Sequence, residues 1–383
     1  MWKKLCAVLL ALNCVALGVL IGMNANSHTA ALFAPQAAAT QDASRAEETP
    51  LADEAPSDAD AQTPPIETPS PAVTVLSGSL THAASFDSDK TYGLLIRDKK
   101  AKYDLTRHDY GGFSIETKAG EAIGASMGTF VYWKDEAVLS YSTVFAKVFE
   151  AGRNADASFA GDLALGLEQE TAGFTRSQAA ERAAALVDEL LSDTLFTSEV
   201  TRVYAYTAQQ LENLCSEHGY NIALSNLGTG DGLLYAILLR LRIGDVPVYS
   251  EDADGTIANA WQDNKISANT VSAVVTMTAD ELLMLELYSI YEPTAQLQEA
   301  QALTRQEIAE RHSLQSDQAL HVDASALDCA ALQYIAIQSG YGAQAQVLLT
   351  PVWRFARTDG EPVFFDAVSG EHIAELDARY PAK

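Results

Sequence analysis

Along residues 347–373, VLLTPVWRFARTDGEPVFFDAVSGEHI, the side chains Val347, Leu349, Trp353 and Phe355 alternate with Leu348, Thr350, Val352 and Arg354. A period of two sends alternate side chains to opposite faces of an extended chain, so this segment predicts a half-buried strand. Asp359-Gly360 predicts a hairpin turn, 362–367 a second strand, and Ser369-Gly370 another turn before Glu371-His372-Ile373. The chain closes in a β-meander with no obvious reactive group.

Upstream, short β-like runs at 92–96, 110–116, 129–133 and 137–145 predict a small antiparallel β region within 73–170. Thr175-x-x-Gln178 is a capping-box pattern, and strong helix formers follow to Leu191, with Ala184, Leu186, Val187, Leu190 and Leu191 along one face. A strand over 200–206, a helix over 207–217 that stops at Gly219, a central strand over 233–243 and its hairpin partner over 247–249 complete a first unit, 171–265. In a second unit, 266–383, the pattern predicts a strand over 271–278 and a helix over 280–291. Thr304-x-x-Glu307 then caps a helix, 321–323 is extended, Ser325 caps a helix over 326–338, and the meander follows. Each unit is thus expected to be α+β, with helices packed on an antiparallel sheet.

The two units echo each other. Phe174-Thr175-Arg176 resembles Leu303-Thr304-Arg305, Gly219-Tyr220 resembles Gly340-Tyr341, and Pro247-Val248-Tyr249 resembles Pro362-Val363-Phe364. The pairs keep their order at separations of 129, 121 and 115 residues, the drift expected of an internal duplication followed by loop deletions.

The amino terminus changes the picture of where these units act. Met1-Trp2-Lys3-Lys4 precedes a low-polarity run over 5–23 that is broken only by Asn13. Such a run spans roughly 28 Å as a helix, close to the ~30 Å hydrocarbon layer. Positive charge before it and acid after it place residues 1–4 in the cytoplasm and the rest outside. The run reads as a membrane anchor or, alternatively, as a cleaved signal sequence, in which case the protein is secreted. Residues 24–72 hold seven of the chain's 12 prolines and few large apolar residues, the composition of a disordered acidic linker.

A net charge of -26 argues against a nucleic-acid partner, because phosphate contacts need clustered Lys and Arg. Cys215 and Cys329 are the cysteines outside the 5–23 run, and they read either as a disulfide or as two buried free thiols. Gly124-Ala125-Ser126-Met127-Gly128 matches the G-x-S-x-G nucleophile pattern, but a strand-like run follows it where the elbow requires a helix. Ser250-Glu251-Asp252-Ala253-Asp254-Gly255 suggests a calcium loop whose twelfth position should be Glu and is Trp261. Gly228, Gly230 and Gly232 lack the third glycine of the dinucleotide spacing. No His-Glu-x-x-His or Cys-x-x-Cys occurs. The reading is therefore of no catalytic, cofactor-binding or metal residues. Trp261, Trp353 and Phe355, with Trp133, Phe364 and Phe365 beside them, are candidates for a partner surface, and aromatics at strand spacing fit a core as well.

The capped Thr-Arg-x-Gln/Glu-x-Ala helix and the closing Asp366-Ala367-Val368-Ser369-Gly370-Glu371 turn resemble the PepSY repeat of peptidase propeptides and extracytoplasmic bacterial proteins. The whole plan is similar to the Yyc-type accessory regulators that restrain a sensor histidine kinase. That resemblance implies a non-enzymatic, membrane-anchored extracytoplasmic protein that binds or regulates another envelope or membrane protein, or a peptide. Two alternatives are an inhibitor or chaperone of a secreted protease, and an envelope serine hydrolase using Ser126.

Overall fold

A computed structural model describes residues 73–82, 86–100, 102–108, 112–135, 138, 173–217, 232–250, 266–313, 330–339, 346–356 and 362–376. Residues 72–383 form one compact unit. Among the described residues the protein is built mainly of antiparallel strands in two large sheets.

The larger sheet has nine strands. Its path runs through β2 (Tyr103–Arg107), β3 (Phe113–Thr117), β4 (Ala122–Ser126), β5 (Thr129–Trp133), β11 (Leu282–Tyr288), β10 (Ser272–Met277), β7 (Leu233–Ile243) and β6 (Thr197–Thr207), and the short β8 (Val246–Pro247) also pairs with β7. The seven-stranded sheet follows the order β12 (Tyr291–Pro293), β1 (Thr74–His82), β15 (Gln346–Ala356), β14 (Ala331–Ser339) and β9 (Ile266–Asn269). Here β13 (Gln298–Gln301) joins β1, and β16 (Pro362–Asp366) joins β15.

These sheets correct the expected fold class of two helix-on-sheet α+β units. The segment read as a helix over 280–291 is β11 and β12, and the one read over 326–338 is β14 from Ala331 onward. Leu283, Leu285 and Leu287 alternate with Met284 and Glu286, and β11 lies between β5 and β10 with all five of these residues buried. Two flanking ladders and burial on both faces outweigh the helix propensity of a Leu-, Met- and Glu-rich run. The reverse happens over 92–96, read as a strand. Asp87 caps α1 (Ser88–Leu95) by accepting from the Asp89 and Lys90 amides, and the helix continues through Tyr92 and Leu95.

The expected unit boundaries also differ from the sheets. β10 and β11 fall in the predicted second unit but pair with β7 and β5 of the nine-stranded sheet, and β1 pairs with β15 far along the chain. The sheets are stitched together at Tyr334. Its carbonyl accepts from the Tyr249 amide at 2.7 Å, its hydroxyl accepts from the Leu76 amide at 2.9 Å, and Val248 makes a parallel bridge to it. One hydrophobic core runs from Val75 and Ile115 through Ile237 and Val275 to Leu349.

Several expected elements are present. Thr175 and Gln178 make both bonds of the capping box at α2 (Arg176–Leu191), whose Ala179, Ala183, Val187 and Leu191 are fully buried. The chain then forms β6, α3 (Ala208–Glu217) and the β7–β8 hairpin. Glu307 accepts from the Thr304 amide at 2.7 Å at the start of α4 (Arg305–Ser313), and these bonds hold its carboxyl below the usual range. The meander forms β15, β16 and the Ser369-Gly370 turn. That turn has a physical reason to accompany α4. Arg311 Nη1 donates to the Ser369 carbonyl at 2.7 Å and His312 Nε2 bonds the Gly370 carbonyl at 2.9 Å, while Gly370 at φ 75° leaves no room for a Cβ beside Arg311 and Leu303.

The anchor reading is corrected in one respect: among the described residues no helix is long and apolar enough to cross a membrane, and segment 5–23 lies outside them. The linker 24–72, most of 137–145, Gly219, the 228–231 loop, residues 251–265 with Trp261, the 321–323 run and Cys329 likewise lie outside the described residues, as does the side chain of Cys215.

Candidate functional site

Ser126 ends β4, and Met127 and Gly128 then form a two-residue turn at φ 48° and 75° that leads straight into β5. This is a hairpin, whereas a nucleophile elbow hands its serine to a helix. Ser126 Oγ is buried without a hydrogen-bond partner among the described residues.

The partner-surface aromatics divide differently from the expectation. Phe355 is fully buried against Phe365, as are Phe364 and Phe365 themselves, and Trp133 is buried on β5. Strand spacing placed them in the core, so Phe355 is corrected from surface to interior. Trp353 is half-buried and its indole Nε1 donates to the Leu303 carbonyl at 2.8 Å, which ties it to the start of α4. Among the described residues no group of three or more His, Cys, Asp or Glu is placed to hold a metal ion.

Two features that the residue patterns did not single out carry more chemistry. The first is Glu286, buried within β11. Its neighbours across the ladders are Val131 and Val274, and its polar contact is the Tyr288 hydroxyl, which donates to Oε2. Burial pushes its carboxyl up to about 7, and the Tyr288 bond opposes this. Thr276 and Trp133 flank Met284 on adjacent strands, and their Oγ1 and Nε1 are buried without partners among the described residues. A single Glu in an apolar run is the sequence signal for this site, and it was masked by the helical reading of 280–291.

The second feature is β2, one of the two terminal strands of the nine-stranded sheet, the other being β6. Among the described residues β2 pairs with β3 alone, and residues 104–107 are all exposed. The hydrogen-bond phase of the hairpin shows which groups face outward. His108 N–H donates to the Gly112 carbonyl at 3.2 Å, and Thr117 N–H donates to Glu121 on the far side of β3. Bonded pairs alternate along an antiparallel ladder, so Asp104 and Thr106 turn their amides toward β3, and Tyr103, Leu105 and Arg107 turn theirs to the open edge. The side chains divide in the same way. Tyr103 packs on Tyr92 of α1 with ring centroids 4.3 Å apart, Arg107 Nη2 donates to Ser88 Oγ at 3.3 Å, and Leu105 between them is 38% exposed. The corner is fixed from behind by Arg97, which pairs with Glu121 and Glu281, and by Lys99, whose ammonium bonds the Gly93 and Ile96 carbonyls at the end of α1.

Neither protein-family models nor curated proteins match this chain. Among solved structures it is similar to an uncharacterized protein from Eubacterium rectale ATCC 33656, at 12% identity and a TM-score of 0.45, over 78% of this chain and 86% of that one.

Proposed function

We propose that this chain is a non-enzymatic protein of the cell envelope that binds another protein by taking an extended segment of it as an added strand on β2. The observation that supports this reading is the exposed edge of β2, with three consecutive outward amide and carbonyl pairs at Tyr103, Leu105 and Arg107 and an exposed leucine at their centre. An unpaired ladder is a template for another strand, and main-chain bonds supply affinity without a pocket. β6, at the other end of the same sheet, exposes only Thr197 and Arg202, and β13 is four residues long and offers only Gln298, Glu299, Ala300 and Gln301.

Proline at an outward position removes one edge amide and leaves the β2–β3 ladder intact. Peptides selected from a random displayed library on the full chain are expected to bind Leu105→Pro at least 10-fold more weakly than the wild type, with the thermal midpoint of the variant little changed. Selected peptides that bind Leu105→Pro as well as the wild type would overturn the reading.

A further inference from the structure

We infer that the strand accepted by β2 alternates apolar and basic side chains, the basic one lying beside Asp104. The inference rests on the strand-addition reading and specifies its partner. An added strand continues the pleat of β2, so its alternate side chains extend the two faces of the β2–β3 hairpin.

On the face shared with α1, the neighbours are Leu105 and the Tyr92–Tyr103 ring pair, so a side chain arriving there gains most if it is aliphatic or aromatic. The opposite face is charged. Asp104 stands directly opposite Glu116 across the ladder, both exposed, and neither side chain makes an ion pair or hydrogen bond among the described residues. Side chains directly opposite in a ladder have Cβ atoms about 5 Å apart, and like charges there repel. A cation on the next strand lies beside Asp104 and within reach of Glu116, and relieves that repulsion. Lys102 and Lys118, at the open end of the hairpin, confine the basic residue to the register of Asp104. At longer range the chain's net charge of -26 draws a cationic segment in and repels an anionic one.

Three labelled nine-residue peptides of equal length test this, with Val at alternate positions and Lys, Gln or Glu between them. Their binding to the full chain is read by fluorescence anisotropy at low and high salt. The Lys peptide is expected to bind at least 10-fold tighter than the Glu peptide, to lose most of that advantage at high salt, and to lose binding on Leu105→Pro. The double variant Asp104→Lys with Glu116→Lys is expected to reverse the order. If the Gln or Glu peptide binds as tightly as the Lys peptide while Leu105→Pro still abolishes binding, the charge preference is wrong and strand addition stands. If Leu105→Pro leaves the Lys peptide bound, strand addition at β2 is itself wrong, and the inference falls with it.

Discussion

Glu286→Gln should make this protein more stable at pH 8 by about 3 kcal/mol, because a carboxyl moved from 4.5 to about 7 is a group whose ionisation the fold resists. Below pH 4.5 the carboxyl is protonated in both the folded and the unfolded chain, so it has no effect on stability there. Between roughly 4.5 and 7 the folded state holds the proton and the unfolded state releases it, so stability falls as pH rises. Above about 7 the loss is complete and the curve flattens. Glutamine keeps an oxygen for the Tyr288 hydroxyl and removes the charge. Urea midpoints at pH 5 and pH 8 measure the difference. The wild type should lose stability across that interval through Glu286, and the variant should lack this component. An identical loss in the two proteins would show that Glu286 is not held protonated in the fold.

Gly112→Ala is expected to cost about 3 kcal/mol or more, the larger of the two backbone effects at the β2 corner. Gly112 has φ 97°, and a Cβ placed there would lie 2.1 Å from the Ala125 carbonyl oxygen and 3.0 Å from Ser126 Cα. Those atoms are backbone of β4 and cannot swing aside, so β3 must move away from β4 or the turn that returns β2 must open. Gly93 provides the control within the same corner. It lies exposed inside α1 with nothing within 4 Å of a built Cβ, so Gly93→Ala should stabilise by up to about 1 kcal/mol. Denaturation midpoints compare them directly, and equal effects would show that the close approach at Gly112 is absent.

Several elements of the fold could be read from the residues, and the reasons are local. The Thr175 and Thr304 caps, the β15–β16 hairpin and the apolar β7 each carry their signal within a few neighbouring positions: a side-chain acceptor three residues before its partner, a turn, an uninterrupted buried run. The errors share a cause of the opposite kind. Leu282 to Tyr288 is extended because β5, from a distant part of the chain, bonds to one of its edges while its hairpin neighbour β10 bonds to the other. β14 likewise lies between the next strand, β15, and β9, from which β10 to β13 separate it along the chain. With 282–288 extended, β11 and its neighbour β10 pair with β5 and β7, which lie outside the expected second unit. The helical state of Tyr92 and Leu95 is hidden for a smaller reason: the cap at Asp87 lies five residues before the first aromatic of the run.

The candidate edge was less legible than the fold. Tyr103 to Arg107 has neither a motif nor a reactive side chain, and its significance comes from its place at the end of the sheet. Whether a strand is central or terminal depends on partners that its own residues do not encode. Phe355 illustrates the converse, since its aromatic ring suggested a surface and its ladder position places it inside.

Amide hydrogen exchange along β2, with and without the alternating Val/Lys peptide, distinguishes strand addition from binding elsewhere. Strand addition predicts that the Tyr103, Leu105 and Arg107 amides exchange quickly in the free protein and slow by at least 10-fold in the complex, while the Asp104 and Thr106 amides, already bonded to β3, change little. Slowing that is uniform along the strand, or confined to residues away from 103–107, would contradict it.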